Sequence, residues 1–404
     1  MEIDYLKLTR EKVESATHKT YVRALLLLAL SVVLLIIVVT IDAIYNPIDY
    51  TMLVRERDNA PFWKKLISKL ILERKPVLDS LAFLRTILLL CSGLFIVGSI
   101  TQLHQSGTMA MPRTLGSSDI ESNGTDTVFT RVFTKLVMGI ILLSSLFFLT
   151  LFLVDPVGFS TLGSEDQPVE LLSALFYFIS FGLFMYTMVL LSKQWNPHKW
   201  YLLLAAVFAF GFFIMGMEEI SWFQRVLHID TPDSFKDNRQ NELNLHNFYT
   251  NPLENAFYFA SFVFLILLPF IHENFQLINK RHLLSVFIPS RFILFASAIF
   301  VAYNYDMWNI LFTQLAFFVT FFILAYYAWL YIRMRSNAAF VVALLILYTI
   351  SQVLFIVYGD AFVRLFDVTE YKEVFIPLGF LLYSLEVVQR LKKINKKQTY
   401  TSIG

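Results

Sequence analysis

The sequence predicts an all-α, polytopic transmembrane helical bundle of about ten membrane helices with one interfacial amphipathic helix. Hydrophobic residues make up 57% of the 404 residues, and the mean hydropathy is +0.61; both values lie above the range of soluble globular proteins. The apolar residues form runs of about 20, the length that an α-helix needs to cross a bilayer. The formal net charge of +2 argues against nucleic acid as a partner. Membrane lipids are therefore the expected surroundings.

Ten apolar runs meet the length criterion for a membrane-spanning helix. They cover residues 23–44, 81–103, 132–154, 170–192, 200–217, 253–272, 284–304, 311–332, 338–358 and 374–391. The seventh and the last runs satisfy the criterion least well. Pro289 and Arg291 interrupt the seventh run. We expect the whole chain, 1–404, to form a single integral membrane domain.

The distribution of Lys and Arg predicts the orientation of the helices. These residues concentrate at the N-terminus and in alternate connections, whereas the connections 155–167 and 305–309 contain none. By the positive-inside rule, the segment 1–22 and the basic tail 392–404 are expected in the cytoplasm. We interpret the chain as a protein of the bacterial cytoplasmic (inner) membrane with both termini cytoplasmic.

The connection 46–80 conflicts with this orientation, because it is basic yet falls on the non-cytoplasmic side. Within it, residues 61–75 carry apolar side chains on one helical face and lysines on the other. That pattern is typical of an interfacial helix that lies on the membrane. It reduces the conflict, and the side on which the loop lies stays open.

Polar side chains concentrate in the loop 217–252, which joins the fifth and sixth apolar runs. Glu218 and Glu219 stand directly at the end of an apolar helix, where paired acids are costly without a function. If that helix continues, its 100° step places Glu218 on one face together with Ser221, Gln224, Arg225 and His228. Glu219 would lie off that face.

The second half of this loop brings an acid and an imidazole together. Glu242 and His246 are spaced by four residues, so they share one side of an extended segment and also one side of a helix. A carboxylate beside a histidine fixes the tautomer of a general base or completes a metal site. The simpler alternative is a polar loop whose amides satisfy the backbone.

These observations define the candidate residues. The predicted catalytic residues are Glu218, Glu219, Glu242 and His246. The predicted substrate-binding residues are Ser221, Gln224, Arg225, Gln240, Asn244 and Asn247. A divalent metal is a further hypothesis, with ligands Glu219, Glu242 and His246. For the adjacent glutamates, the competing interpretation is a pair at the water interface, one solvated and one bridged to Arg225. Asp42, Asn304 and Asp306 are secondary candidates at the same membrane face, whereas Glu386 is expected to pair with Arg390 one helical turn later.

The pattern EEISWxQR at 218–225, TP at 231–232 and NxQxExNLHN at 238–247 resembles a motif of uncharacterised multi-pass membrane proteins of bacteria. The resemblance implies that this stretch matters and implies no particular activity. The chain contains no glycine-rich nucleotide loop, Gly-x-Ser-x-Gly elbow or P-loop. With a single cysteine, it cannot form a disulfide within the chain.

Three classes of function are compatible with this pattern. The leading hypothesis is a membrane-embedded enzyme that hydrolyses or transfers a group on a lipid or lipid-linked substrate through a Glu/His site at the non-cytoplasmic face. The second is a proton- or cation-coupled transporter that uses the same carboxylates. The third is a non-catalytic assembly subunit whose protein partner is unknown. The sequence names neither the substrate nor the oligomeric state.

Overall fold

The structure is a computed structural model, and it describes most of the chain. The described residues are 2–45, 75–105, 129–164, 167–193, 199–224, 227, 230–231, 250–275, 282–308 and 310–401. Within these ranges the chain is helical and contains no β-strand. The predicted interfacial helix 61–75 lies almost wholly outside them and stays a prediction.

Twelve α-helices carry the described fold, several of them continued by short 3-10 or π turns. They are α1 (Glu2–Tyr45), α2 (Lys75–Gln105), α3 (Arg131–Val154), α4 (Pro156–Leu162), α5 (Pro168–Ser192), α6 (Lys199–Glu219), α7 (Thr250–Phe262), α8 (Leu268–Phe275), α9 (Arg291–Ser297), α10 (Leu311–Arg333), α11 (Ala339–Val357) and α12 (Asp367–Thr401). Ten helical segments among the described residues are long and apolar enough to cross a membrane. The predicted count and fold class are confirmed, and the chain is an integral membrane protein.

The chain forms two compact units, the first of which contains 1–111 and 309–323. Its helices α1 and α2 form a hairpin, and two serine contacts join them. Ser31 Oγ lies 2.9 Å from Ser92 Oγ, and Ser99 Oγ donates to the Ala24 carbonyl at 2.8 Å. Small residues and hydroxyls of this kind let membrane helices approach closely.

The second unit contains 112–308 and 324–404 and carries the polar sites. In it α5 packs against both α6 and α12. We call the end at which α6 stops and α12 starts the acidic end, and the opposite end, with Arg291 and Arg390, the basic end. Ser160 Oγ donates to Asp367 Oδ1 at 2.9 Å, so the connection after α3 also lies at the acidic end.

The seventh membrane segment, Leu283–Ala302, is irregular, and 89% of its apolar window is buried within the protein. It consists of a 3-10 turn (Leu283–Phe287), α9 and a second 3-10 turn (Ala298–Ala302). Arg390 Nη1 donates to the carbonyls of Ser285, Val286 and Ile288 at 3.2, 3.1 and 2.6 Å. Irregular backbone is tolerated at membrane depth only where protein surrounds it and satisfies its polar groups.

α12 packs closely against this central segment at Gly379, so we expect one added methyl group there to lower the stability of the protein. A Cβ added to Gly379 would lie 2.5 Å from Ser297 Oγ and 3.1 Å from Leu265 Cδ1. We expect Gly379→Ala to lower the free energy of unfolding by about 1–3 kcal/mol through overpacking. Thermal unfolding of the detergent-purified protein measures this effect.

The matched control is Gly182→Ala in α5, where an added Cβ meets nothing within 4 Å. This substitution removes a flexible glycine from a helix, so we expect an unchanged or slightly raised melting temperature. Equal melting temperatures for the two variants would contradict the packing that the structure gives to Gly379.

Candidate functional site

The helix that carries the paired glutamates ends at the second of them. α6 stops at Glu219, and the next residues turn away instead of continuing the helix. The predicted common face of Glu218, Ser221 and Gln224 is therefore wrong, because that face required a continuous helix. Glu219, which the helical projection left off that face, becomes the last helical residue.

The turn after Glu219 has a rare backbone conformation. Three successive residues with side chains have positive φ: Ser221 at 48°, Trp222 at 53° and Phe223 at 61°. Left-handed helical conformation costs about 1–2 kcal/mol per residue outside glycine, so the turn stores about 3–6 kcal/mol. Such strain persists only where the surrounding structure enforces it, and it concentrates at functional sites.

Hydrogen bonds fix the side chains of this turn. Trp222 Nε1 donates to Glu218 Oε1 at 2.7 Å, and Gln224 Nε2 donates to Thr231 Oγ1 at 2.8 Å. Glu218, Ser221 and Gln224 are buried. Glu218 is thus held by the turn that follows it, whereas its neighbour Glu219 is available to the interior of the unit.

Glu219 belongs to a cluster of carboxylates that four helices bring together. We call this set the glutamate cluster: Glu170 of α5, Glu218 and Glu219 of α6, Glu254 of α7, and Glu370 and Glu373 of α12. Glu219 lies within electrostatic range of Glu373, Glu170, Glu370 and Glu218. Like charges repel more strongly in a medium of low dielectric constant than in water.

The central members of the glutamate cluster are partly accessible. Glu219, Glu370 and Glu373 are each neither fully buried nor fully exposed. These carboxylates are therefore accessible to a small polar group at the acidic end.

Beside the cluster, a second set of polar side chains is fully enclosed. Lys372 of α12 is 2% exposed, and its Nζ donates to Asn304 Oδ1. Asn304 also accepts from Gln352 through its backbone carbonyl. The sequence placed Asn304 among the secondary candidates, and the structure brings it to a buried lysine that the sequence did not single out.

An ion pair closes the acidic end on one side. Arg364 Nε contacts Asp367 Oδ1 at 2.7 Å, and Arg364 Nη2 donates to the carbonyls of Ser160 and Gly163 at 3.2 and 3.4 Å. Tyr371 OH donates to the Phe159 carbonyl at 2.6 Å. These contacts hold α4 against the first turns of α12, next to Glu370.

The remaining candidates of the polar loop lie outside the described residues. These are Arg225, His228, Gln240, Glu242, Asn244, His246 and Asn247. The hypothesis of a metal held by Glu219, Glu242 and His246 therefore stays a prediction. Among the residues that the structure does describe, no group of three or more His, Cys, Asp or Glu side chains could hold a metal ion.

Sequence reasoning missed the contribution of α12. Glu370, Lys372 and Glu373 precede the predicted tenth span 374–391, so the sequence did not single them out. In the structure α12 begins at Asp367, and these charges lie within its first turns. The signal that could have found them is the spacing of Glu370 and Glu373 by three residues, which places two acids on one helical face.

No known protein family model, curated protein or solved structure matches this chain. The functional argument therefore depends on the geometry of the site.

The strained turn predicts that glycine at position 223 is more stable than alanine, the reverse of the order in a right-handed helix. Phe223 is 41% exposed and has a φ of 61°, so Phe223→Gly relieves strain that Phe223→Ala retains. We expect the glycine variant to be more stable than the alanine variant by about 1 kcal/mol, measured as thermal unfolding in detergent.

The control pair is Phe210→Gly and Phe210→Ala, at a position of α6 that is 66% exposed. In a right-handed helix alanine is more stable than glycine by about 0.5–1 kcal/mol. The same order of stability at both positions would mean that Phe223 does not adopt the left-handed conformation.

Proposed function

We propose that the protein is a membrane-embedded enzyme that acts on a lipid or lipid-linked substrate by hydrolysis or group transfer at the acidic end. The observation that carries this proposal is that Glu219 of α6 and Glu373 of α12, which come from different helices, lie within electrostatic range of each other near the ends of their membrane-spanning segments. The proposed class is unchanged from the sequence hypothesis, while Glu373 replaces His246 as the described partner of Glu219.

Two neighbouring carboxylates can perform general acid–base catalysis. One holds a proton and delivers it to the leaving group, while the other accepts a proton from the attacking water or hydroxyl group. This division of roles requires one carboxylate to be protonated and the other ionised. Exclusion of water by the surrounding helices strengthens the interaction of each carboxylate with the reacting atoms.

The position of the glutamate cluster along the membrane normal suits a lipid substrate. Glu170, Glu219, Glu254 and Glu373 lie at or near the ends of membrane-spanning segments, where the headgroup of a lipid would lie while its chains stay in the hydrocarbon. The positive-inside rule places this end opposite the cytoplasm, which in bacteria is the outer face of the inner membrane. Arg225, Gln240, Asn244 and Asn247 of the adjoining loop are the proposed contacts of a phosphate or sugar group, with Glu242 and His246 as further acid–base groups.

The enzyme proposal predicts loss of activity on removal of either central carboxylate. We expect Glu219→Gln and Glu373→Gln each to reduce turnover about 10²–10⁴-fold, because each removes a proton-transfer group without changing the side-chain volume. The measurement is the lipid and envelope-glycan profile of the source organism that carries the variant in place of the native protein, in which substrate should accumulate.

Asp360→Asn is the matched control, since Asp360 is an exposed acid at the same end of the unit. It should leave the profile unchanged. Normal profiles for both glutamine variants at native expression levels would remove the enzyme proposal. In that case, a stoichiometric protein that co-purifies with the chain would favour the assembly-subunit interpretation.

A transporter is the second candidate, and one observation favours it. The seventh segment is broken and enclosed, and α7 continues through a π-helical turn, Val263–Leu267, into α8. Broken helices surround the substrate sites of many carriers, and π turns are frequent at functional sites. The same carboxylates would then bind the coupling proton or cation.

Reconstituted vesicles separate the two candidates. With an entrapped pH-sensitive dye or a sodium-sensitive dye and an imposed membrane potential, an enzyme should give equal, slow ion leakage for the native protein and for Glu219→Gln. A proton or sodium flux that the native protein supports and Glu219→Gln abolishes would transfer the proposal to a carrier.

A further inference from the structure

Lys372 is a charged side chain that protein encloses, close to the glutamate cluster. It lies in the second turn of α12 and is 2% exposed. Lysine is rarely buried to this extent unless a charge or several polar groups compensate its lost hydration. A residue enclosed in this way cannot contact a substrate, so any role in chemistry must act through a neighbour.

The surroundings of Lys372 fit an ammonium ion. Its Nζ donates to Asn304 Oδ1 and lies 4.2 Å from the centroid of the Tyr258 ring. An amide oxygen and the face of an aromatic ring both attract a positive charge. The same Tyr258 donates its hydroxyl hydrogen to Glu373 Oε1.

Tyr258 therefore joins a cation to an anion that could not pair directly. Lys372 and Glu373 are consecutive residues of α12, and consecutive side chains on a helix point in different directions. The ring of Tyr258, from α7, contacts the ammonium with its face and the carboxylate with its hydroxyl. Because the tyrosine donates this hydrogen bond, the arrangement favours the ionised form of Glu373.

Several acids surround Lys372. Asp306, in the connection after the central segment, and Glu254 of α7 lie within electrostatic range, as does Glu373. Asp306 also accepts a hydrogen bond from Thr369 Oγ1 at 3.0 Å. Glu373 in turn lies within electrostatic range of Glu219, Tyr177 and Glu370.

We propose that Lys372 is a positioning residue: an enclosed cation that, through Tyr258, keeps the Glu373 carboxylate ionised and holds it in place. This inference rests on the proposed function in one respect, namely that Glu373 takes part in the reaction. It assigns Glu373 the role of the base.

The experiment is the labelling of carboxyl groups in the purified, detergent-solubilised full chain with dicyclohexylcarbodiimide. This apolar reagent reacts with the protonated carboxyl group, and mass spectrometry identifies the modified residue. At about pH 7, Glu373 in Lys372→Gln should be labelled about tenfold faster, or more, than in the native protein, because an opposite charge that favoured its ionised form is lost. Glutamine retains a donor for Asn304 and lacks the charge.

Two further variants separate charge from packing. Lys372→Arg keeps the charge, so Glu373 should be labelled at close to the native rate. Tyr258→Phe keeps the ring under Lys372 and removes the hydroxyl, so labelling of Glu373 should accelerate. Lys392→Gln is the matched control, because Lys392 Nζ lies 5.1 Å from the Tyr186 ring centroid in the last part of α12 and should change nothing at Glu373.

The inference is overturned if Glu373 is labelled at the native rate in Lys372→Gln, or if Lys372→Arg behaves like Lys372→Gln. Should Lys372→Gln not fold, as judged by size-exclusion chromatography, an unchanged rate in Tyr258→Phe overturns it equally. The readout does not require activity. A shifted labelling rate combined with an unchanged lipid profile for Glu373→Gln would therefore remove the enzyme proposal and leave the role of Lys372 towards Glu373 intact.

Discussion

The burial of charge in an apolar bundle is the constraint on which this structure depends. At the basic end each acid has a direct partner: Glu386 contacts Arg390 at 3.0 Å and accepts from the Ser290 backbone N–H at 3.1 Å, and Glu273 accepts from Arg291 Nε at 2.8 Å. In such pairs each charge compensates the lost hydration of the other, so removal of one partner would leave an unpaired buried charge. The glutamate cluster instead gathers acids from four helices at the acidic end, with Lys372 within electrostatic range of Glu373 and Arg364 within electrostatic range of Glu370.

The central segment Leu283–Ala302 runs from the basic end to the acidic end. Arg390 and Tyr383 satisfy the carbonyls of its first turn, and the residues that follow its last turn join the network of Lys372 and Ser145. Because protein surrounds it, the segment tolerates a broken helix without exposing backbone groups to lipid. The acidic end is therefore held in place by its contacts with a segment that protein encloses.

The sequence predicted the ten membrane segments because each is long and apolar, and it predicted the pair of Glu386 and Arg390 because both lie on one helical face. It located Glu219 as a candidate, since an acid at the end of an apolar run is costly. It misjudged the common face of Glu218, Ser221 and Gln224, because side-chain periodicity contains no information about a left-handed turn after Glu219. Glu373 and Lys372 were missed for a different reason: charges that precede an apolar run look solvated until another helix packs against them.

The distribution of charge along the bundle favours an enzyme over a carrier. Between Glu373 and Glu386, between Arg291 and Asp306, and between Glu254 and Glu273, the sequence contains no Asp, Glu, Lys or Arg. Carriers place their coupling acids near the middle of the membrane, on a path that opens to both sides. In this protein the charged groups of these three segments lie at their two ends, and an apolar middle separates them. A reaction confined to the acidic end therefore requires no charged group in the middle of these segments.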